Sequence, residues 1–122
     1  MSFRTILIVD DDDEFRHALG DLLGFEGFET YPVRHGQEAL AWLRAHPQRS
    51  WLVLLDMMMP IMDGEAFLRA KECDPALADI PVIVLTAGGD CRELLSAPHN
   101  LLNCFPKTVP LAELLGAIEA SG

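Results

Sequence analysis

The stretch WLVLLDMMMPIMDG, from Trp51 to Gly64, decides the fold. It opens with an apolar run that stops abruptly at Asp56. A run this short is typical of a strand buried on both faces of a parallel sheet rather than of a helix. Pro60 and Gly64 then predict a loop before the next helix. Asp56 is therefore expected at the carboxyl end of a central strand, where open α/β sheets bind ligands. Taken alone, an aspartate in that place could simply cap a turn.

Length and composition predict one soluble domain over residues 1–122, because half of the 122 residues are apolar and the core can be large. The formal net charge of −10 argues against direct binding of nucleic acid, which needs lysine and arginine. No signal peptide fits the N-terminus, and no apolar stretch approaches the ~20 residues of a membrane span. The three cysteines are widely spaced, so neither a cysteine-ligated metal site nor a disulfide framework is expected. These features predict a cytoplasmic protein with no membrane contact.

Four further stretches predict strands on either side of the central one. They are Ile6–Val9, Phe28–Val33, Pro81–Leu85 and Leu101–Phe105. Amphipathic helical stretches alternate with these strands, which predicts a parallel sheet with helices on both faces. Pro32 places the second strand at an edge, because proline cannot donate to a sheet ladder. The expected fold is α/β, a flavodoxin-like doubly wound sheet of five strands in the order 2-1-3-4-5.

The first and fourth helices carry specific expectations. The first is predicted to turn one apolar stripe inward, namely Phe15, Ala18, Leu19, Leu22 and Leu23. Asp11 or Asp12 is expected to cap it. The fourth, Asp90–Ser96, can only be short because Pro98 follows it and the flexible pair Gly88-Gly89 precedes it.

Polar residues follow four of the five predicted strands, on one rim of the sheet. They are Asp10, Asp11, Asp56, Thr86 and Lys107. Crowded carboxylates repel one another, and Mg²⁺ is the natural cation to relieve them because it prefers hard oxygen ligands. Carboxylates, a metal ion, an ammonium and a hydroxyl together suit phosphoryl transfer. Asp56 is the expected nucleophile, which would form an aspartyl phosphate. Each residue alone also has a purely structural explanation, as a helix cap, a turn hydroxyl or a surface charge.

Four segments of this chain resemble the receiver domain of bacterial two-component response regulators. ILIVDDDDEFRHAL is similar to the family's first strand and acidic pocket, and LVLLDMMMPIMDG to its phosphorylation segment. PVIVLTA resembles the fourth strand, and FPKTVPLAELLGAI the last strand and helix. The resemblance covers essentially the whole chain.

The resemblance implies a phosphorylation-controlled switch rather than an enzyme acting on an external substrate. Asp56 would accept phosphate from a sensor histidine kinase or a phosphotransfer protein. Asp11, Asp56 and the backbone carbonyl of Met58 would bind Mg²⁺, with Asp10 acting largely through water. Thr86 and Lys107 would bind the phosphoryl group. The downstream effector is not identified by the sequence, and a monomer or weak homodimer is expected.

The chain departs from the family pattern near its output face. The usual lysine is followed by proline, whereas here Thr108 follows Lys107. The position three residues before the lysine is usually aromatic, whereas here it is Cys104. These departures favour an alternative, a phosphorylation-independent interaction module that keeps the acidic pocket. A third reading, a phosphatase with an aspartate nucleophile, would need a second acid where Met58 stands.

Overall fold

The computed structural model describes residues 5–57, 61–87 and 101–120. The strands are β1 (Thr5–Val9), β2 (Glu29–Val33), β3 (Trp51–Asp56), β4 (Val82–Thr86) and β5 (Leu101–Pro106). The helices are α1 (Asp13–Phe25), α2 (Gly36–Ala45), α3 (Gly64–Glu72) and, at the C-terminal end, α4 (Leu111–Ala120). The predicted helix Asp90–Ser96, the pair Gly88-Gly89 and the predicted metal ligand Met58 lie outside the described residues.

All four strand pairings are parallel, and the sheet has the order β2-β1-β3-β4-β5. The predicted flavodoxin-like arrangement is confirmed. β2, which contains Pro32, forms one edge of the sheet, as the missing N–H of proline requires.

Alternation along the strands divides the core into two layers. One set of strand residues, including Leu7, Val53 and Val84, packs with residues of α2 and α3 on one face. The intervening residues, including Ile8 and Leu54, pack with residues of α1 and α4 on the other. Since successive side chains of a strand point to opposite faces, continuous apolar runs are what a sheet covered on both sides needs.

The predicted apolar stripe of α1 is partly wrong. Leu19 and Leu23 are buried and Phe15 is half-buried, but Ala18 and Leu22 are exposed. Helical spacing predicted a wider buried face than the one that packs against the sheet. Ala18 and Leu22 lie beside that face, at the border with α4. Asp12 is the residue that caps the helix, since its carboxylate accepts a hydrogen bond from the N–H of Phe15.

Two basic side chains are buried, which hydropathy alone did not predict. Arg16 is 7 % exposed and Lys71 only 1 % exposed. The Lys71 ammonium donates a hydrogen bond of 2.9 Å to the carbonyl of Ala78, just after α3. Burial lowers the pKa of Lys71 to about 8.

The expectation of no disulfide is wrong. Cys104 on β5 is disulfide-bonded, whereas Cys73 is a free and exposed thiol. Pairing depends on which side chains the fold brings together, and spacing along the chain does not reveal that. Within the described ranges no peptide bond is cis, so the bond between Lys107 and Thr108 is trans. None of the helices there is long and apolar enough to cross a membrane.

Gly64 allows α3 to start directly against the end of β3. A Cβ at this position would lie 2.7 Å from Cα of Met57 and 3.0 Å from the carbonyl oxygen of Asp56. The Gly64 N–H also donates to the carbonyl of Met57 at 3.1 Å. Any side chain here must therefore displace the backbone that carries Asp56.

We predict that Gly64→Ala lowers the free energy of unfolding by about 1–3 kcal/mol, the usual cost of overpacking against a rigid neighbour. The matched control is Gly116→Ala in α4, where a Cβ would meet nothing within 4 Å. That variant should gain about 0.5–1 kcal/mol, because alanine favours a helix over glycine. Urea unfolding curves measure both, and equal effects of the two substitutions would contradict the packing argument.

Candidate functional site

Parallel pairing of β1 with β3 brings two carboxylates together. Val9 pairs with Leu55, so the residues that follow, Asp10 and Asp56, lie side by side at the carboxyl edge of the sheet. Both are buried, with 2 % and 4 % of their surface exposed. Asp11 is exposed, yet one carboxylate oxygen from each of the three aspartates falls within 4.8 Å of the others. The predicted acidic cluster is thus present in the geometry.

Lys107 provides the positive charge of this cluster. Its Nζ lies 2.8 Å from Oδ2 of Asp10 and 3.6 Å from Oδ2 of Asp56. Burial acts to lower the pKa of Lys107, but the hydrogen bond to Asp10 and the charges of Asp10, Asp56 and Asp12 raise it above its ordinary value. The ammonium therefore stays charged at neutral pH.

Thr86 fixes the backbone of Lys107. The last residue of β4 accepts a 2.8 Å hydrogen bond from the Lys107 N–H through its carbonyl oxygen. Thr86 is itself buried, at the same edge of the sheet as Asp56. The strand ends thus deliver the aspartates, the threonine and the lysine to one rim, as the sequence predicts.

Arg16 supports the acidic loop between β1 and α1, and sequence reasoning missed it. Its Nη1 donates a 2.8 Å hydrogen bond to the carbonyl oxygen of Asp10, and Nη2 forms an ion pair with Asp13. The Asp12 N–H donates to Oδ1 of Asp10 at 2.8 Å. Asp10 is therefore held at both its backbone and its side chain. In the sequence, the only indication of this role was that a charged residue lies next to the predicted apolar stripe of α1.

Phe15 is a second residue whose role at the site the sequence did not reveal. Its ring centroid lies 4.7 Å from the Lys107 ammonium. Phe15 and Lys107 also line a groove of about 190 Å³ between α1 and α4, which is otherwise mainly apolar. Leu22, 45 % exposed, lies on the wall of this groove. The acidic cluster and the groove therefore share Lys107.

The donor set fits a hard divalent cation. Three carboxylates offer oxygen ligands, two of them buried, and a single ammonium balances only part of their charge. Mg²⁺ and Ca²⁺ prefer oxygen ligands of this kind, and Mg²⁺ usually keeps several waters. The cluster is thus able to bind a divalent metal ion beside a buried carboxylate.

Comparisons with known proteins agree on one family. The family model described as "Response regulator receiver domain" matches residues 6–119. A "Transcriptional regulatory protein CpxR homolog" of Haemophilus influenzae is 36% identical over 94% of this chain and 48% of its own length. The chain thus spans about half the length of that relative.

In two further comparisons, the matched region covers nearly all of both proteins. "Sporulation initiation phosphotransferase F" of Bacillus subtilis is 34% identical over 98% of this chain and 94% of its own. The crystal structure of a response regulator receiver protein from Pseudomonas putida superposes with a TM-score of 0.86 over 98% of each chain, at 23% identity. At this identity, the similarity to the Pseudomonas putida structure shows a shared fold only.

We predict that Mg²⁺ binds weakly and stabilises the fold, by about 1.4 kcal/mol at ten times its dissociation constant. Asp11→Asn should shift the titration to higher Mg²⁺ because it removes one carboxylate of the cluster. Asp21→Asn, an exposed aspartate on α1 outside the cluster, is the matched control and should titrate like the wild type. Unfolding temperature against Mg²⁺ concentration measures this. Identical titrations of Asp11→Asn and the wild type would place the metal elsewhere.

Proposed function

The chain belongs to the response regulator receiver domain family, and from that premise we propose that it is a phosphorylation-controlled switch with Asp56 as phosphoryl acceptor. One observation carries the assignment of the acceptor. Asp56 ends the central strand, is 4 % exposed, clusters with Asp10 and Asp11, and has its Oδ2 3.6 Å from the Lys107 ammonium. A carboxylate so placed is close both to a metal site and to a cation that can bind phosphoryl oxygens.

In the proposed reaction a carboxylate oxygen of Asp56 attacks the phosphorus of a phosphodonor. The new P–O bond forms as the bond from phosphorus to the donor's leaving atom breaks, and the electron pair leaves with the donor. Lys107 balances negative charge on the phosphoryl oxygens, and the Thr86 hydroxyl donates a hydrogen bond to one of them. Residues of the chain only orient and neutralise charge, as suits a loose transition state.

Asp10, Asp11, Asp56 and the backbone carbonyl of Met58 are the proposed holders of Mg²⁺, with Asp10 acting largely through water. When bound, the ion supplies charge neutralisation at the transferring phosphoryl group. Support comes from the three carboxylate oxygens that lie within 4.8 Å of one another. Met58 is included only because of its position in the stretch that resembles the family's phosphorylation segment.

The proposed phosphodonor is a sensor histidine kinase or a phosphotransfer protein. Its phosphate must reach Asp56, so its surface must meet the rim of the sheet where Asp56 and Lys107 lie. The net charge of −10 argues against direct contact with nucleic acid and for an output through a protein effector. We further propose a single receiver domain over residues 1–122, cytoplasmic, and a monomer or weak homodimer.

One observation favours the alternative of an interaction module that does not respond to phosphorylation. Cys104 takes the place of the aromatic residue usual in the family, and it is disulfide-bonded. A small, cross-linked side chain cannot swing between two positions as a ring can. In this alternative the acidic pocket would remain, but β5 would not move on phosphorylation.

We predict that acetyl phosphate with Mg²⁺ adds one phosphoryl group to the wild type and none to Asp56→Asn, since an amide cannot form the acyl phosphate. Intact-mass spectrometry measures the addition, and Asp21→Asn again serves as the matched control that should be labelled. Full labelling of Asp56→Asn would move the acceptor to Asp10 or Asp11. An unlabelled wild type would favour the interaction module.

A further inference from the structure

The Lys107 ammonium has two kinds of neighbour. The carboxylates of Asp10 and Asp56 lie 2.8 and 3.6 Å away, and the ring of Phe15 lies 4.7 Å away, measured to its centroid. Only 18 % of the Lys107 side chain is exposed. Phe15 thus adds to the two ion pairs a cation–π contact, in which the ring face attracts the ammonium.

Lysine needs such a constraint more than other cations do. Its charge is carried on four flexible carbons, so the ammonium has many positions available to it. The hydrogen bond from the Lys107 N–H to the carbonyl of Thr86 fixes the backbone but not the end of the side chain. An aromatic face can restrict the ammonium without removing its charge or using its donors.

Phe15 is itself held firmly enough to act in this way. It lies in the first turn of α1, where its N–H is bound by the capping carboxylate of Asp12. Its side chain is half-buried and packs against the core layer that contains Leu19 and Leu114. The ring therefore has a support of its own that does not depend on Lys107.

We propose that Phe15 is a positioning residue for phosphorylation, whose ring keeps the Lys107 ammonium beside Asp56 before the phosphoryl group arrives. The inference rests on the proposed function of Asp56 and Lys107. Preorganised charge accelerates a reaction because it need not be rearranged in the transition state. Phe15 offers no ligand to the acidic cluster and acts through Lys107.

The test compares Phe15→Leu with Phe15→Tyr. Leucine keeps the apolar packing and removes the ring, whereas tyrosine keeps the ring. Phe25→Leu is the matched control, because it makes the same chemical change at an 89 % exposed position of the same helix. Each protein is labelled with acetyl phosphate at saturating Mg²⁺, and the rate constant is separated from the donor concentration at half-maximal rate.

We expect Phe15→Leu to lower the rate constant about three- to tenfold, the range given by loss of a partly buried cation–π contact. Phe15→Tyr and Phe25→Leu should stay within about twofold of the wild type, on the same scale. A second measurement needs no metal or donor. The ε-methylene NMR signals of Lys107 should be displaced by the ring current in the wild type and in Phe15→Tyr, and return to ordinary positions in Phe15→Leu.

Three results would overturn the inference while leaving the proposed function intact. The first two are labelling of Phe15→Leu at the wild-type rate and an unchanged Lys107 spectrum in that variant. A loss of rate in Phe15→Leu that tyrosine does not restore would also contradict a role of the ring. A wild type that is never labelled on Asp56 would instead refute the proposed function, and this inference with it.

Discussion

Charge crowding at one edge of the sheet is the constraint on which the rest of the site depends. Parallel pairing of β1 and β3 places Asp10 beside Asp56, and Lys107 is the cation that offsets their repulsion. Several other contacts serve to keep this cluster in place. Arg16 holds the carbonyl of Asp10, and Gly64 lets α3 start directly against the backbone of Asp56. The fold thus concentrates like charges where a metal ion can reach them.

The sheet and the identities of the rim residues could be predicted because they depend on local rules. The inner strands β1, β3 and β4 feed two core layers, so their apolar residues run without interruption. A polar residue at the end of a strand has to lie at the rim, which predicts the places of Asp10 and Asp56 directly and that of Lys107 one residue further on, after Pro106. Pro32 identified an edge strand by its missing donor, which favoured the strand order that the structure has.

The remaining features depend on contacts that helix and strand periodicity does not encode. Arg16 and Lys71 are buried because carbonyl oxygens of other segments accept their hydrogen bonds, and no helical spacing encodes such partners. From the sequence, Phe15 cannot be told from an ordinary core residue. In the structure, Lys107, which follows β5, lies against its ring. Leu22 has the spacing of a core residue but borders a groove instead. Pairing of Cys104 likewise depends on tertiary proximity.

A crystal structure of the protein with Mg²⁺ and beryllofluoride, a mimic of an aspartyl phosphate, tests the central claim most directly. The account predicts beryllium bonded to a carboxylate oxygen of Asp56, Mg²⁺ bound by Asp11 and Asp56, and the Lys107 ammonium in contact with a fluoride. Beryllofluoride bonded to Asp10 or Asp11, or a Lys107 side chain turned away from the fluorides, would contradict it.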